Sequence, residues 1–366
     1  MIDLCELAPQ YVKTIAPYQP GKPMSELQRE LGLSKIVKLA SNENPLGPSP
    51  LALEAIHRAL PDLALYPDGN GFELKTSLAE MHQLELSNIV LGNGSNDVLE
   101  LIARAFLSPD TEAIYSQYAF AVYPLVTQAV GAKGKVVPAK DYGHDLEAIA
   151  QSVSEKTRVV FIANPNNPTG HFIAGDEIKA FLQKIPKNVL VVLDEAYTEY
   201  LDDQLTYNAI DWLNHFDNLI VTRSFSKAYG LAGLRVGCGF AHQDVIALIN
   251  RVRQPFNVNQ LALVAAEAAL HDKDFLDKTR AINQAGLLQL ENACRTFDLS
   301  FIPSVGNFLA IKIGDNALEV YQQLLKRGVI VRPIANYHMP NYLRVSVGLP
   351  EENSFFIDQL RIVLEH

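Results

Sequence analysis

The sequence predicts an α/β protein whose central, mostly parallel sheet is flanked by helices. Three observations carry that expectation. Short β-rich runs alternate with helical stretches as far as about residue 240, the order expected of strand–helix–strand units. Several of these runs are apolar almost throughout, which signals burial on both faces of a sheet. Polar residues with chemical uses follow three of the runs directly, at the carboxyl ends where ligands of such sheets collect.

In chain order the expected strands are Asn88–Leu91, Glu112–Tyr115, Lys135–Val137, Arg158–Ala163, Val189–Leu193, Leu219–Val221 and Arg235–Phe240. The first passes into Gly92-Asn93-Gly94-Ser95-Asn96-Asp97 ahead of a helical Val98-Leu99-Glu100-Leu101-Ile102. A glycine-rich turn of that kind is an anion site, because free backbone N–H groups and the helix dipole face the ligand. It can also be read as a truncated dinucleotide fingerprint, although Asp97 stands at the third glycine position.

Arg158–Ala163 runs into Asn164-Pro165-Asn166-Asn167-Pro168-Thr169-Gly170, where prolines and asparagines fix a tight turn and leave the amide of Asn164 at the strand's end. Val189–Leu193 ends in Asp194, with the phenol of Tyr197 three residues on. A long helical stretch, Gln260–Leu270, and a charged amphipathic segment from Phe275 to Phe297 follow the last of these strands. Near the C-terminus Arg344 alternates with apolar neighbours in Tyr342–Val347, as on a half-buried strand. Burial of a guanidinium there demands a partner.

Composition narrows the function classes. A chain of 366 residues is long enough for two domains. Its net charge of −10, without a concentrated basic patch, makes nucleic acid an unexpected partner. The start Met1-Ile2-Asp3-Leu4-Cys5-Glu6 lacks the features of a secretory signal, and no apolar stretch is of spanning length, so a cytoplasmic protein without membrane association is expected. Cys5, Cys238 and Cys294 have no metal-ligand spacing, which fits reduced thiols and no metal site.

The most informative segment is Ser224-Phe225-Ser226-Lys227-Ala228-Tyr229-Gly230-Leu231-Ala232-Gly233-Leu234-Arg235. A lysine after a buried strand, with hydroxyls at Ser224 and Ser226 and a guanidinium at Arg235, suits a Schiff base to a phosphorylated aldehyde such as pyridoxal phosphate. The amine would hold the aldehyde carbon while the hydroxyls and guanidinium take the phosphate. Asp194 has the position of the buried anion that keeps a pyridinium protonated, and Tyr197 that of a donor to the ring oxygen. Other readings stand beside these: a solvated loop lysine, a helix cap at Asp194 and a plain turn at Asn164.

With these motifs in this order, the chain resembles the fold-type I pyridoxal phosphate enzymes of the aspartate aminotransferase superfamily, and more narrowly the histidinol-phosphate aminotransferase family. The resemblance spans nearly the whole chain, through Tyr18-Gln19-Pro20-Gly21-Lys22-Pro23, Asn42-Glu43-Asn44-Pro45-Leu46-Gly47, Tyr66-Pro67-Asp68-Gly69 and Tyr342-Leu343-Arg344-Val345-Ser346-Val347-Gly348. It implies an N-terminal arm (1–40), a large cofactor domain (41–284) and a small α+β domain (285–366). It implies that Gly94, Ser95 and Asn96 cradle the cofactor phosphate, that Tyr118 stacks on the ring, with Phe120 and Tyr123 as competitors, and that Tyr66 reaches the neighbouring subunit's phosphate in a homodimer with shared sites. Arg344, with Arg332, Tyr18 and more weakly Asn166, would meet the substrate.

The implied reaction interconverts histidinol phosphate and 2-oxoglutarate with imidazole acetol phosphate and glutamate. An aromatic amino acid aminotransferase, a threonine-phosphate decarboxylase-like lyase and a cofactor-sensing binding module are the alternatives.

Overall fold

The computed structural model describes residues 4–17 and 21–365, so the expectation for Tyr18 lies outside the described residues. A short strand β1 (Val37–Lys38) precedes the central sheet. The sheet itself is made of β2 (Ile89–Gly92), β3 (Glu112–Ser116), β4 (Lys133–Val137), β5 (Thr157–Ala163), β6 (Leu190–Asp194), β7 (Leu219–Ser224) and β8 (Gly237–Ala241). Its strand order is β2-β8-β7-β6-β5-β3-β4. The strands from β7 to β4 pair in parallel, and β8 runs antiparallel to both β7 and β2.

The period-two geometry of a strand explains why several of these runs are apolar almost throughout. Val160, Ile162, Val191, Leu193, Leu219 and Val221 enter one core. Their alternates Val159, Phe161, Val192 and Ile220 enter the core on the opposite face. Helices Phe72–His82, Gly175–Lys184 and Gln260–Leu270 send buried side chains into the first core. Helices Ser95–Phe106, Val122–Ala129 and Gln243–Val252 do the same in the second.

The C-terminal part forms a second layered unit. The strands β9 (Phe301–Ile302), β10 (Phe308–Lys312), β12 (Arg332–Ile334) and β13 (Met339–Ser346) make an antiparallel sheet in the order β12-β13-β10-β9. The remaining short strand, β11 (Val329–Ile330), pairs in parallel with β1. Val37 and Leu39 pack with Leu309, Leu343 and Phe356 in this unit's core. The stretch Val37–Leu39 therefore joins the C-terminal unit rather than the large sheet. Helix Lys273–Thr296 links the two: Thr279, near its start, accepts a hydrogen bond from Asn44 at 3.1 Å, and Leu290 and Cys294, near its end, lie in the C-terminal core.

Strand bounds differ by one to three residues from the sequence expectation. The strand expected at Lys135 begins at Lys133. Arg235, expected to open β8, instead takes a left-handed φ of 58° two residues before it, which turns its side chain toward the ends of the neighbouring strands.

Candidate active site

A cavity of about 250 Å³ opens where the carboxyl ends of β5, β6 and β7 meet the C-terminal unit, and Asp194, Tyr197, Ser224, Ser226, Lys227 and Arg235 line it. At one end β2 turns through Gly94 into helix Ser95–Phe106. Gly94 has φ 87°, and a Cβ there would lie 2.5 Å from the Arg235 guanidinium. On Gly237 a Cβ would lie 2.4 Å from the Ser95 nitrogen. Only glycine permits this approach of guanidinium, helix N-terminus and strand. Arg235 also donates to Ser226 Oγ at 3.3 Å and to the Ala232 carbonyl at 3.1 Å. This end of the cavity thus combines a cation, two serine hydroxyls and a helix N-terminus, the donor set a phosphate requires.

At the end of β6 Asp194 is 4 % exposed. Its Oδ2 accepts from the Tyr123 hydroxyl at 2.8 Å and its Oδ1 from Thr222 Oγ1 at 2.9 Å. Burial raises its proton affinity, and the two hydroxyl donors oppose that rise. Between the ends lies Lys227, whose Nζ donates to the Ser41 carbonyl at 3.1 Å. Burial and the nearby cation of Arg344 push its amine down to about 7, so much of it is neutral at neutral pH.

Tyr197 is buried, and its phenol is pushed up to about 12, chiefly by burial. Its oxygen accepts from Asn42 Nδ2 at 3.0 Å, which leaves the phenolic proton to be donated. Asn42 is placed for this by a φ of 53° and by the Ser346 hydroxyl, to which its own N–H donates at 2.8 Å. In the sequence Asn42 stands out only as the first residue of Asn42-Glu43-Asn44-Pro45-Leu46-Gly47. Its neighbour Glu43 also lines the cavity, ion-paired to Lys38 at 2.7 Å.

Arg344 is buried, donates to Asn167 Oδ1 and to the Ala40 carbonyl, and lies over the Phe308 ring at 5.3 Å. Across the β12–β13 pair its register partner is Arg332, and both side chains line the cavity.

Three expectations need correction. Asn164 does not line the cavity. Its Nδ2 donates to the Ile173 carbonyl and to Tyr207 Oη, each at 2.9 Å, and its Oδ1 accepts from the Ile173 N–H at 2.8 Å. The amide closes the loop base, and Asn167 is the asparagine of this loop on the cavity wall. Asn166 likewise turns inward, its Nδ2 donating to the Tyr118 carbonyl at 3.0 Å and Thr169 Oγ1 at 2.8 Å. Tyr118 stacks on Tyr142 at 6.0 Å and does not line the cavity; of Tyr118, Phe120 and Tyr123, Phe120 is the one on the cavity wall. Tyr66 is 82 % exposed and stacks on Phe256 at 4.8 Å, away from this chain's own cavity.

The cavity fits pyridoxal phosphate on its donor set: phosphate ligands at one end, a buried carboxylate at the other and an amine between. Among the described residues no group of three or more His, Cys, Asp or Glu is placed to hold a metal ion. No helix among them is long and apolar enough to cross a membrane.

Fold and site together define a fold-type I pyridoxal phosphate aminotransferase. A family model for class I and II aminotransferases matches residues 34–357. Histidinol-phosphate aminotransferase 2 of Nitrosospira multiformis is 56 % identical over 366 residues, covering 100 % of this chain and 93 % of that protein. The Pseudomonas aeruginosa protein of the same name is 55 % identical and covered over 100 % of both chains. The crystal structure of histidinol-phosphate aminotransferase from Sinorhizobium meliloti, in complex with pyridoxal-5′-phosphate, superposes with a TM-score of 0.89 at 27 % identity, covering 97 % of each chain. The chain belongs to the class I and II aminotransferases and, within them, to the histidinol-phosphate aminotransferase family.

Proposed function

We infer that the protein is the aminotransferase of histidine biosynthesis that interconverts histidinol phosphate and 2-oxoglutarate with imidazole acetol phosphate and glutamate. Family membership supports the reaction, and the observation that carries the substrate class is the Arg332–Arg344 pair. Two guanidiniums that are register partners on neighbouring strands and line one cavity suit an anion there. A phosphate dianion or a carboxylate, presented by the two substrates in turn, is such an anion.

Pyridoxal phosphate, when bound, supplies an aldehyde that takes up the substrate amine and a ring that accepts electrons from the adjacent carbon. Arg235, Ser224, Ser226, Ser95, Asn96 and the Gly94 turn would hold its phosphate, and Asp194 its ring nitrogen. Tyr197 would donate its phenolic proton to the ring oxygen, with Phe120 against the ring face. Lys227 would hold the cofactor's aldehyde carbon and would serve as the acid–base group for the proton on the substrate's amino-bearing carbon. Arg344 and Arg332 would orient the substrate through its anionic end, with Tyr18 as a further donor. Asn164 and Asn166 act through the loop that carries Asn167.

The purified protein, offered histidinol phosphate, phenylalanine and threonine phosphate with and without 2-oxoglutarate, should form glutamate fastest from histidinol phosphate and only when 2-oxoglutarate is present. A preference for phenylalanine, or decarboxylation of threonine phosphate, would move it to another activity. Arg332→Ala removes one charge-assisted contact, about 1.5–3 kcal/mol, and should lower kcat/KM for histidinol phosphate roughly ten- to a hundredfold. The discrimination against histidinol should narrow while cofactor binding, read by absorbance, stays intact.

We further propose a cytoplasmic homodimer divided at about residues 40 and 285, in which each site borrows the partner's Tyr66. Exposed Tyr66 (82 %), Leu65 (68 %), Leu63 (58 %) and Phe72 (55 %) support this, since a group of exposed large apolar side chains is a sign of an interface. Mixing Tyr66→Phe with Lys227→Ala subunits should recover activity above either parent, because one site in each heterodimer escapes both changes. Fully exchanged dimers without recovery would refute sharing.

A further inference from the structure

We propose that Tyr123 and Thr222 are positioning residues that hold Asp194 as an oriented anion beneath the cavity. Each carboxylate oxygen has its own hydroxyl donor, Tyr123 Oη on Oδ2 at 2.8 Å and Thr222 Oγ1 on Oδ1 at 2.9 Å. The donors come from different elements, helix Val122–Ala129 and β7, and the acceptor ends β6. Neither donor lines the cavity. Both are 0 % exposed, so no water competes for the carboxylate from their side. The Tyr123 ring is itself fixed, stacked nearly flat on Phe161 at 4.8 Å with an interplanar angle of 6°. Phe120 meets its edge at 5.9 Å, so one aromatic set joins the cavity wall to the Asp194 support.

The chemistry is directional. A carboxylate gripped by two donors keeps a fixed plane and presents its remaining lone pairs to the cavity. Burial and the adjacent Asp194 charge keep the Tyr123 phenol protonated well beyond its usual range, so it acts as a donor and never as a competing base. Burial alone would leave Asp194 protonated too readily, and the two hydroxyls counter that. The other titratable groups facing Asp194 do not replace them. Glu195 has its charge taken by Arg223 at 2.9 Å, and Tyr197 is a neutral phenol that interacts with both Tyr337 and Asp194. With neutral hydroxyls on both oxygens, Asp194 is left to form its ion pair with a cation entering from the cavity. A protonated pyridine ring is such a cation.

This inference rests on the cavity being a pyridoxal phosphate site, and the test separates the two. The dissociation constant of pyridoxal phosphate from the apoprotein is measured by absorbance between about pH 5.5 and 8.5. The chemical shift of its ¹⁵N-labelled ring nitrogen is read when bound. Wild type is compared with Tyr123→Phe and Thr222→Val, which keep ring and shape, and with Thr222→Ser, which keeps the hydroxyl. Losing a hydrogen bond to a charged group should weaken binding about ten- to a hundredfold.

The sign follows from Asp194. Without a donor its proton affinity in the apoprotein rises further, so the deficit should deepen as pH falls and the ¹⁵N shift should move toward neutral pyridine. Thr222→Ser should restore both readouts. Should Tyr123→Phe not fold, the Thr222 pair carries the comparison. Variants with the wild-type shift and a deficit that does not change with pH would overturn the inference, as would variants that bind like wild type. Wild type that captures no pyridoxal phosphate would overturn the site reading and this inference together.

Discussion

Lys227→Ala is expected to lower turnover of histidinol phosphate by about 10⁴-fold or more, because a positioned acid–base group contributes up to about 10⁴ and the attachment point is lost with it. The expectation follows from the cavity: Lys227 is the cavity amine that lies between the Arg235 end and Asp194. The change should leave the fold intact, since the lysine's hydrogen bond in the structure is to the Ser41 carbonyl, and thermal melting checks this. An amine held at about 7 adds a pH signature. Below that value Lys227 is protonated and cannot attack an aldehyde; above it the amine is free. Cofactor capture by the apoprotein should therefore accelerate as pH rises to about 7 and then level. A rate still climbing toward pH 10, as an unperturbed lysine would give, would show that burial and Arg344 do not depress it.

Asp194→Ala should be nearly as damaging. Removing one partner of a buried ion pair costs about 3–5 kcal/mol, here roughly 150- to 5000-fold in turnover. With pyridoxal phosphate at saturation the loss should fall mainly on kcat, since a neutral ring is a poor electron acceptor. The variant leaves the hydroxyls of Tyr123 and Thr222 without their acceptor. Asp194→Asn keeps an acceptor for one of them and should be the more stable of the two, with a similar kinetic defect. Equal kcat in wild type and Asp194→Asn would mean that the charge of Asp194 has no part in the chemistry.

The central sheet was legible because strands buried on both faces are apolar at every position, a pattern that solvent-facing strands do not share. The residues that end or follow such strands, Asp194, Ser224, Ser226 and Lys227, were legible for the same reason: the strand fixes where its end points. Loops are different. In Asn164-Pro165-Asn166-Asn167 three amides compete, and nothing local says which one faces the cavity. The choice is made by the Ile173 backbone and by a hydroxyl 43 residues away on Tyr207. Among Tyr118, Phe120 and Tyr123 the choice goes with contacts distant in sequence: Tyr118 stacks on Tyr142, in a turn with φ 64°, and Tyr123 donates to Asp194. The part of Asn42 required a left-handed backbone and contacts with Tyr197 and Ser346, residues distant in sequence. Such long-range choices leave little trace in a single sequence.

The most direct test of the account is chemical. The protein as purified with pyridoxal phosphate is reduced with borohydride, digested and mapped by mass spectrometry. The cofactor should be found as a stable adduct on the peptide carrying Ser226-Lys227-Ala228 and be absent from Lys227→Ala treated in the same way. An adduct on any other lysine, or none in a protein shown to bind the cofactor, would contradict the assignment of the cavity.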